Sequence, residues 1–202
     1  MKRILLTAFE PFGGETLNPA LETMKRVRAP EGVELIRLEV PTGFRLSSET
    51  VLPAIEKTKP DAIVCLGQAG GRSAITPERV AINIDDASIS DNYGEKPCDR
   101  VIEPDGENAY FSTLPVKEIA YALKAAGIRS EVSNTAGTFV CNHLMYCVLH
   151  YVSENGLNIP AGFIHVPFIP EQTAGKTPAP PSMPLETIAE GIGLALQVIS
   201  DV

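Results

Sequence analysis

Runs of basic residues are absent from this chain. Its 17 Lys and Arg are outnumbered by 25 Asp and Glu, for a net charge of −8, and the densest basic stretch is only Lys25-Arg26-Val27-Arg28. A nucleic-acid backbone or an anionic membrane surface would meet no complementary field, so both are excluded as partners. Long apolar runs are missing too, since no segment approaches the roughly 20 residues of a membrane span. The N-terminal apolar run stops at Glu10 without a cleavage-site pattern, and reads as a first strand rather than a signal peptide. Cysteine is scarce, and Cys65, Cys98, Cys141 and Cys147 form no Cys-x-x-Cys pair. A domain of 202 residues needs no disulfide staples, so a reduced, cytoplasmic protein is the expectation. Neither low-complexity blocks nor a composition break divides the chain, which predicts one domain over 1–202. Two nucleotide signatures also fail. Pro170 stands where a P-loop ending in Gly175-Lys176-Thr177 needs glycine, and Gly67-Gln68-Ala69-Gly70-Gly71 is not a dinucleotide fingerprint.

What is present is an alternation of short β-branched runs with longer segments of helical period. This predicts an α/β fold, a three-layer α/β/α sandwich whose twisted, mostly parallel sheet carries helices on both faces, of phosphorylase or hydrolase type. Strands are expected at 3–8, 33–40, 62–67, 80–84, 129–133 and 162–166. Asn18-Pro19 supplies a cap and a first-turn proline for a helix reaching about 27. Further helices are expected at 46–57, with Pro53 as a kink or late start, at 115–126 before the stop at Gly127, and at 184–200. The connections 85–112 and 167–183 exceed ordinary loop length, the second holding five of the 17 prolines. Long ordered connections serve as lids, binding loops or interface arms.

The stretch Thr135-Ala136-Gly137-Thr138-Phe139-Val140-Cys141-Asn142 places a thiol three residues beyond a candidate helix cap, Thr138. Unpaired N–H groups and the helix dipole favour an anion there, which predicts a lowered thiol pKa and makes Cys141 the candidate nucleophile. The competing reading is a small buried hydrophobe, because Leu144, Met145, Val148, Leu149 and Val152 share its helix face. Of three histidines, His143 lies about 200° and His150 about 180° around the helix from Cys141, so neither reaches its sulfur. His165, at the carboxyl end of a strand, remains as base, because open parallel sheets assemble sites at that edge. A third group must orient the imidazole, and Glu78, Asp85 and Asp86 are all candidates.

Three stretches carry a family resemblance. Gly67-Gln68-Ala69-Gly70-Gly71-Arg72 followed by Ile75-Thr76-Pro77-Glu78-Arg79-Val80-Ala81-Ile82-Asn83 resembles the glutamate signature of the pyroglutamyl peptidase I family. Ser133 to Asn142 is similar to its cysteine signature, and Leu6-Thr7-Ala8-Phe9-Glu10-Pro11-Phe12-Gly13-Gly14 with Asn18-Pro19 to its N-terminal motif. The match runs in order from Lys2 to the final helix. It implies a cofactor-free cysteine peptidase, a homotetramer, that removes N-terminal pyroglutamate from peptides. By resemblance the nucleophile maps to Cys141, the base to His165 and the orienting acid to Glu78. The pocket maps to Phe9, Phe12, Asn18, Gln68, Phe139 and Val140.

One departure stands out. Asp86-Ala87-Ser88-Ile89-Ser90-Asp91-Asn92 has Ser88 where the family commonly has arginine, which questions one positive contribution near the site. Arg72 is a candidate replacement donor. A weakened relative that only binds pyroglutamyl peptides is therefore an alternative. Another is a zinc protein, because His143, Cys147 and His150 fall within about 60° on one helix face.

Overall fold

The computed structural model describes residues 1–202. Strands β1 (Lys2–Phe9), β2 (Val33–Val40), β3 (Ala62–Gln68), β4 (Thr76–Pro77) and β7 (Ala161–Val166) form one sheet in the order β2-β1-β3-β7-β4. All pairs are parallel except β4 with β7. Successive strand residues face opposite sides, and the core divides accordingly. Ile4, Leu6, Val64, Leu66, Ile164 and Val166 meet helices α1 (Pro19–Arg26), α3 (Val116–Ala125) and α6 (Leu185–Ser200). Leu5, Phe9, Ile63, Cys65 and Phe163 meet α2 (Phe44–Thr58) and α4 (Val140–Glu154). This is the expected three-layer sandwich.

Local chemistry accounts for the element ends. Asn18 Oδ1 accepts from the Ala20 N–H and caps α1, with Pro19 in its first turn. Gly127 stops the chain after α3 at φ +79°, a left-handed conformation that glycine adopts freely. Helix α2 begins two residues before the expected start and runs through Pro53. Pro53 is exposed, so the Glu49 carbonyl it leaves unbonded faces water. The α2 N-terminus is capped from a distant segment, since Asp91 Oδ2 accepts from the Phe44 N–H at 3.0 Å.

Two expected strands do not join the main sheet. Residues 80–84 supply β5 (Val80–Ile82), which pairs antiparallel with β6 (Ala109–Phe111) in a separate two-stranded sheet. Residues 129–133 run beside β4 but make only isolated bridges, Ile75 with Ser130 and Glu78 with Ser133. Pro77 has no N–H to donate at the middle of that pairing, so a regular ladder cannot form.

Both long connections are ordered. In 85–112, Asn83 accepts from the Ile102 and Glu103 N–H groups and donates to the Glu103 carbonyl, while Asp85 pairs with Arg100. In 167–183, a short helix α5 (Pro170–Thr173) follows β7, and Phe168 bridges to Ser182.

Candidate active site

The site forms at the carboxyl ends of β3 and β7. Phe163 packs on the α4 side of the sheet, so strand parity turns His165, two residues on, toward the same side. Gly67 pairs with His165 across the β3–β7 ladder. It must lack a side chain, because a Cβ there would lie 2.7 Å from the Phe163 ring and 3.0 Å from Cys141 Sγ. One glycine thus adjoins Cys141 Sγ and, across the ladder, His165.

Cys141 is the second residue of α4, half-buried, with Phe139 rather than Thr138 at the cap position. The Thr138 hydroxyl instead donates to the Asp86 carbonyl at 2.7 Å. Gly137, at φ +78°, makes the turn into the helix. The expectation of an acidified thiol is overturned. Burial pushes Cys141 up to about 12, the Glu78 carboxylate adds to the rise, and Arg72 opposes it without prevailing. Desolvation outweighs the helix end here.

His165 is 3 % exposed, and its Nδ1 lies 2.7 Å from Glu78 Oε1. A carboxylate only accepts, so Nδ1 carries the proton and Nε2 of the neutral ring is an acceptor. No hydrogen bond yet joins Nε2 to Cys141. Burial lowers the His165 pKa, and Arg72 contributes to the fall against the opposing pull of Glu78. For Glu78, burial alone would raise the carboxyl. Hydrogen bonding and charge from His165, with Ser133 and Arg72, outweigh it and hold Glu78 below the usual carboxylate range. The resting site is therefore a neutral thiol, a neutral imidazole and an ionised carboxylate.

The rival acids are occupied elsewhere. Asp85 binds His143 Nδ1 at 3.0 Å and Arg100 at 2.9 Å, and Asp86 accepts from the Asp99 N–H. His143 belongs to that second cluster. Burial opposes its charge, but Asp85 and Cys147 prevail and raise it to about 9. The three possible zinc ligands do not converge. His143 Nε2 faces Cys147 Sγ at 3.5 Å, whereas His150 Nδ1 is 2.9 Å from the Tyr110 hydroxyl. No group of three acidic, histidine or cysteine side chains is arranged to hold a metal ion.

The expected pocket residues divide into two kinds. Phe12 and Phe139 are half-buried neighbours with ring centroids 6.3 Å apart, backed by the buried Phe44 at 5.3 Å from Phe139. Gln68 is half-buried, and its Oε1 accepts from Gln172 Nε2 at 2.9 Å. By contrast Phe9, packed 6.3 Å from Phe163, and Val140 are core residues. Asn18 is buried, with Oδ1 capping α1 and Nδ2 donating to the Glu10 carbonyl, so its amide serves the fold rather than an open surface. Ser88 lines an open cavity of about 480 Å³ with Asp86, Ala87, Ile89, Thr138 and Phe139.

Arg72 departs from the expected role. Its guanidinium donates to Glu78 Oε1 at 2.5 Å, Thr76 Oγ1 at 2.6 Å and the Thr135 carbonyl at 3.0 Å. It holds the acid instead of reaching over the thiol. Sequence reasoning assigns Gln172 and Gly67 no role, and gives Arg72 a different one. Position within the Gly67–Arg72 turn was the available signal for two of the three, while nothing local marks Gln172.

A half-buried thiol beside a carboxylate-bound imidazole at a sheet edge defines a cysteine-type hydrolase on an α/β/α scaffold. A family model of the pyroglutamyl peptidases matches residues 2–202, and the chain belongs to that family of cysteine exopeptidases. A pyrrolidone-carboxylate peptidase of Thermoanaerobacter sp. (strain X514) is 54 % identical over 199 residues, 98 % of each chain. Another from Clostridium perfringens is 52 % identical over 198 residues, 98 % of this chain and 92 % of the relative. The crystal structure of Bacillus amyloliquefaciens pyroglutamyl peptidase I superposes with a TM-score of 0.96 at 44 % identity, covering 100 % of this chain and 98 % of that one. A pyrrolidone carboxyl peptidase mutant from Pyrococcus furiosus gives 0.94 at 40 % identity, with 98 % of each chain covered.

Proposed function

We propose that this protein removes N-terminal pyroglutamate from peptides through Cys141, His165 and Glu78. The observation that carries the reading is the 2.7 Å contact of His165 Nδ1 with a fully buried Glu78, which leaves Nε2 as acceptor on the Cys141 side of the sheet. As Cys141 Sγ attacks the carbonyl joining pyroglutamate to the next residue, His165 Nε2 takes the thiol proton. The carbonyl π pair becomes the oxyanion. Collapse breaks the C–N bond, the imidazolium gives its proton to the leaving amine, and a thioester remains. Water, deprotonated by the same nitrogen, then releases pyroglutamate and returns the proton to sulfur. The N–H groups of Val140, Cys141 and Asn142 precede the first helical donor, the His143 N–H that bonds the Phe139 carbonyl, and suit the oxyanion, one such donor contributing about 3 kcal/mol. A neutral resting thiol means that proton transfer belongs to the attack, as in serine enzymes, rather than preceding it.

The lactam ring suits the half-buried faces of Phe12 and Phe139. Gln68 would read its amide. The Ile169 N–H can only donate, so the Gln172 oxygen that receives it is assigned, and the Gln172 NH2 is left to donate to Gln68 Oε1. Gln68 therefore offers its own NH2, which suits the ring carbonyl of pyroglutamate and finds nothing in proline. No cofactor is required for these steps. Assembly as a homotetramer and residence in the cytoplasm complete the reading, the first testable by mass in solution. No helix is long and apolar enough to cross a membrane.

Hydrolysis of a pyroglutamyl chromogenic amide is the test. Wild type should turn it over. Cys141→Ala and His165→Ala should fall to background, and Glu78→Gln should lose about 10³- to 10⁴-fold in kcat. An inert wild type that still binds the substrate would replace the peptidase with a peptide-binding relative.

A further inference from the structure

We propose that Arg72 is a positioning residue that ties the acid of the triad to the loop delivering the nucleophile, by donating at once to Glu78 Oε1 and the Thr135 carbonyl. The inference rests on the catalytic reading above and extends it to a residue that touches no reacting atom. Arg72 follows a turn in which both glycines are needed. A Cβ on Gly70 would fall 2.3 Å from the Phe168 ring, and Gly71 sits at φ +88°. That turn brings the guanidinium from the end of β3 back over the sheet edge. There Thr76 Oγ1 takes a further bond and fixes its plane.

The carboxylate it meets has few other partners. Glu78 is fully buried, His165 and Arg72 share Oε1, and Oε2 has no hydrogen bond. While His165 is neutral, Arg72 is the fixed positive charge paired with Glu78, and a buried carboxylate without one is strongly disfavoured. Charge is then balanced throughout the reaction. Before attack the site holds Arg72⁺ and Glu78⁻. After proton transfer it holds those two, the imidazolium and one negative charge on sulfur or the oxyanion. Without Arg72 each state carries an extra negative charge beside a developing anion. The Thr135 bond adds a mechanical link, because Thr135 begins the 135–138 segment that leads into α4, which starts one residue before Cys141.

The groups that act on His165 are Glu78 beside β4 and Arg72 after β3, and the same two act on Cys141, with Cys65 of β3 behind the thiol. Of these only Arg72 is a fixed cation, and it lowers the affinity of both His165 and Cys141 for protons. Arg72→Gln should therefore lower kcat/KM for the pyroglutamyl amide by roughly 100-fold, the scale of a small misplacement of reacting groups. It should also move the acidic limb of the pH profile upward. Arg72→Lys keeps the charge but not the fork, and should lose less activity with the limb near its wild-type position. In a cycle with Glu78→Gln, the Arg72→Gln effect should largely vanish. An acidic limb that stays in place in Arg72→Gln, or losses that simply multiply in the double variant, would overturn the proposal. Titration of the His165 imidazole by NMR in wild type, Arg72→Lys and Arg72→Gln, each first shown to be folded by its thermal melt, needs no substrate. The imidazole should titrate close to wild type in Arg72→Lys and higher in Arg72→Gln. If wild type proves inactive on the amide, the catalytic reading fails on the kinetics while this titration still decides whether Arg72 governs His165.

Discussion

At the scale of single residues, the site depends as much on what is missing from Gly67 as on what Cys141 carries. Gly67→Ala should displace the Phe163 ring or the thiol, at about 1–3 kcal/mol of overpacking, and reduce kcat as well as thermal stability. Paired melts and kinetics would show both. A fall in stability with unchanged kcat would mean that the sulfur does not need the space. The thiol itself was misread from sequence in one respect. A first-turn position favours the anion, but that rule omits what surrounds the side chain after folding, and here burial and Glu78 decide. Iodoacetamide at pH 7.5 should consequently modify the exposed Cys98 before Cys141, as peptide mapping by mass spectrometry would report. Preferential loss of the Cys141 peptide would mean that the thiolate is far more available than its surroundings imply. The pocket was only partly legible for a similar reason. Asn18 carries an amide suited to a ligand, and the sequence pattern cannot reveal that the fold has claimed both ends of it.

Among the elements, α4 has the most to hold in place. Asn142, between Cys141 and His143, accepts from the Ile82 N–H and donates to the carbonyls of Ile82 and Ile84. One buried amide thereby fixes the rotation of the helix about its axis against β5. Asn142→Ala leaves those backbone groups without partners and should cost about 1–3 kcal/mol, with a larger proportional loss in kcat than a distant variant of equal stability. Urea denaturation and steady-state rates on the same samples would check it. The main strands and helices were readable because periodicity reports which face is buried, and β1, α1, β2 and α6 begin and end within two residues of expectation. The strands expected at 80–84 and 129–133 were not so well placed. Their β-branched composition is real, but partner choice is a property of the assembled sheet, and Pro77 interrupts the one partner that 129–133 might have used.

For the whole molecule, two buried acid–base pairs bracket the pH range of stability. The folded Glu78 lies below its ordinary 4.5, so its contribution is present above that value and is lost as pH falls through the depressed one. The folded His143 is raised from 6.5 to about 9, so its contribution is complete below 6.5 and is lost as pH rises through about 9. The buried His165 is lowered below 6.5, so it costs stability as pH falls under that value, and thermal midpoints should therefore be highest near pH 6.5. His143→Gln should flatten the alkaline decline, and an unchanged alkaline limb would assign that decline to other groups. Activity should not follow the same curve. On the proposed mechanism it needs His165 unprotonated, and that group titrates below its ordinary 6.5.

The order β2-β1-β3-β7-β4 has one more consequence, for time rather than geometry. The acid at position 78, the thiol at 141 and the imidazole at 165 come from segments far apart in the chain, and they meet only when β3, β7 and α4 are all docked. If these three are the catalyst, as proposed, no excised piece can carry it, and turnover regained from denaturant becomes a clock for the last docking event. It should never run ahead of the far-ultraviolet signal.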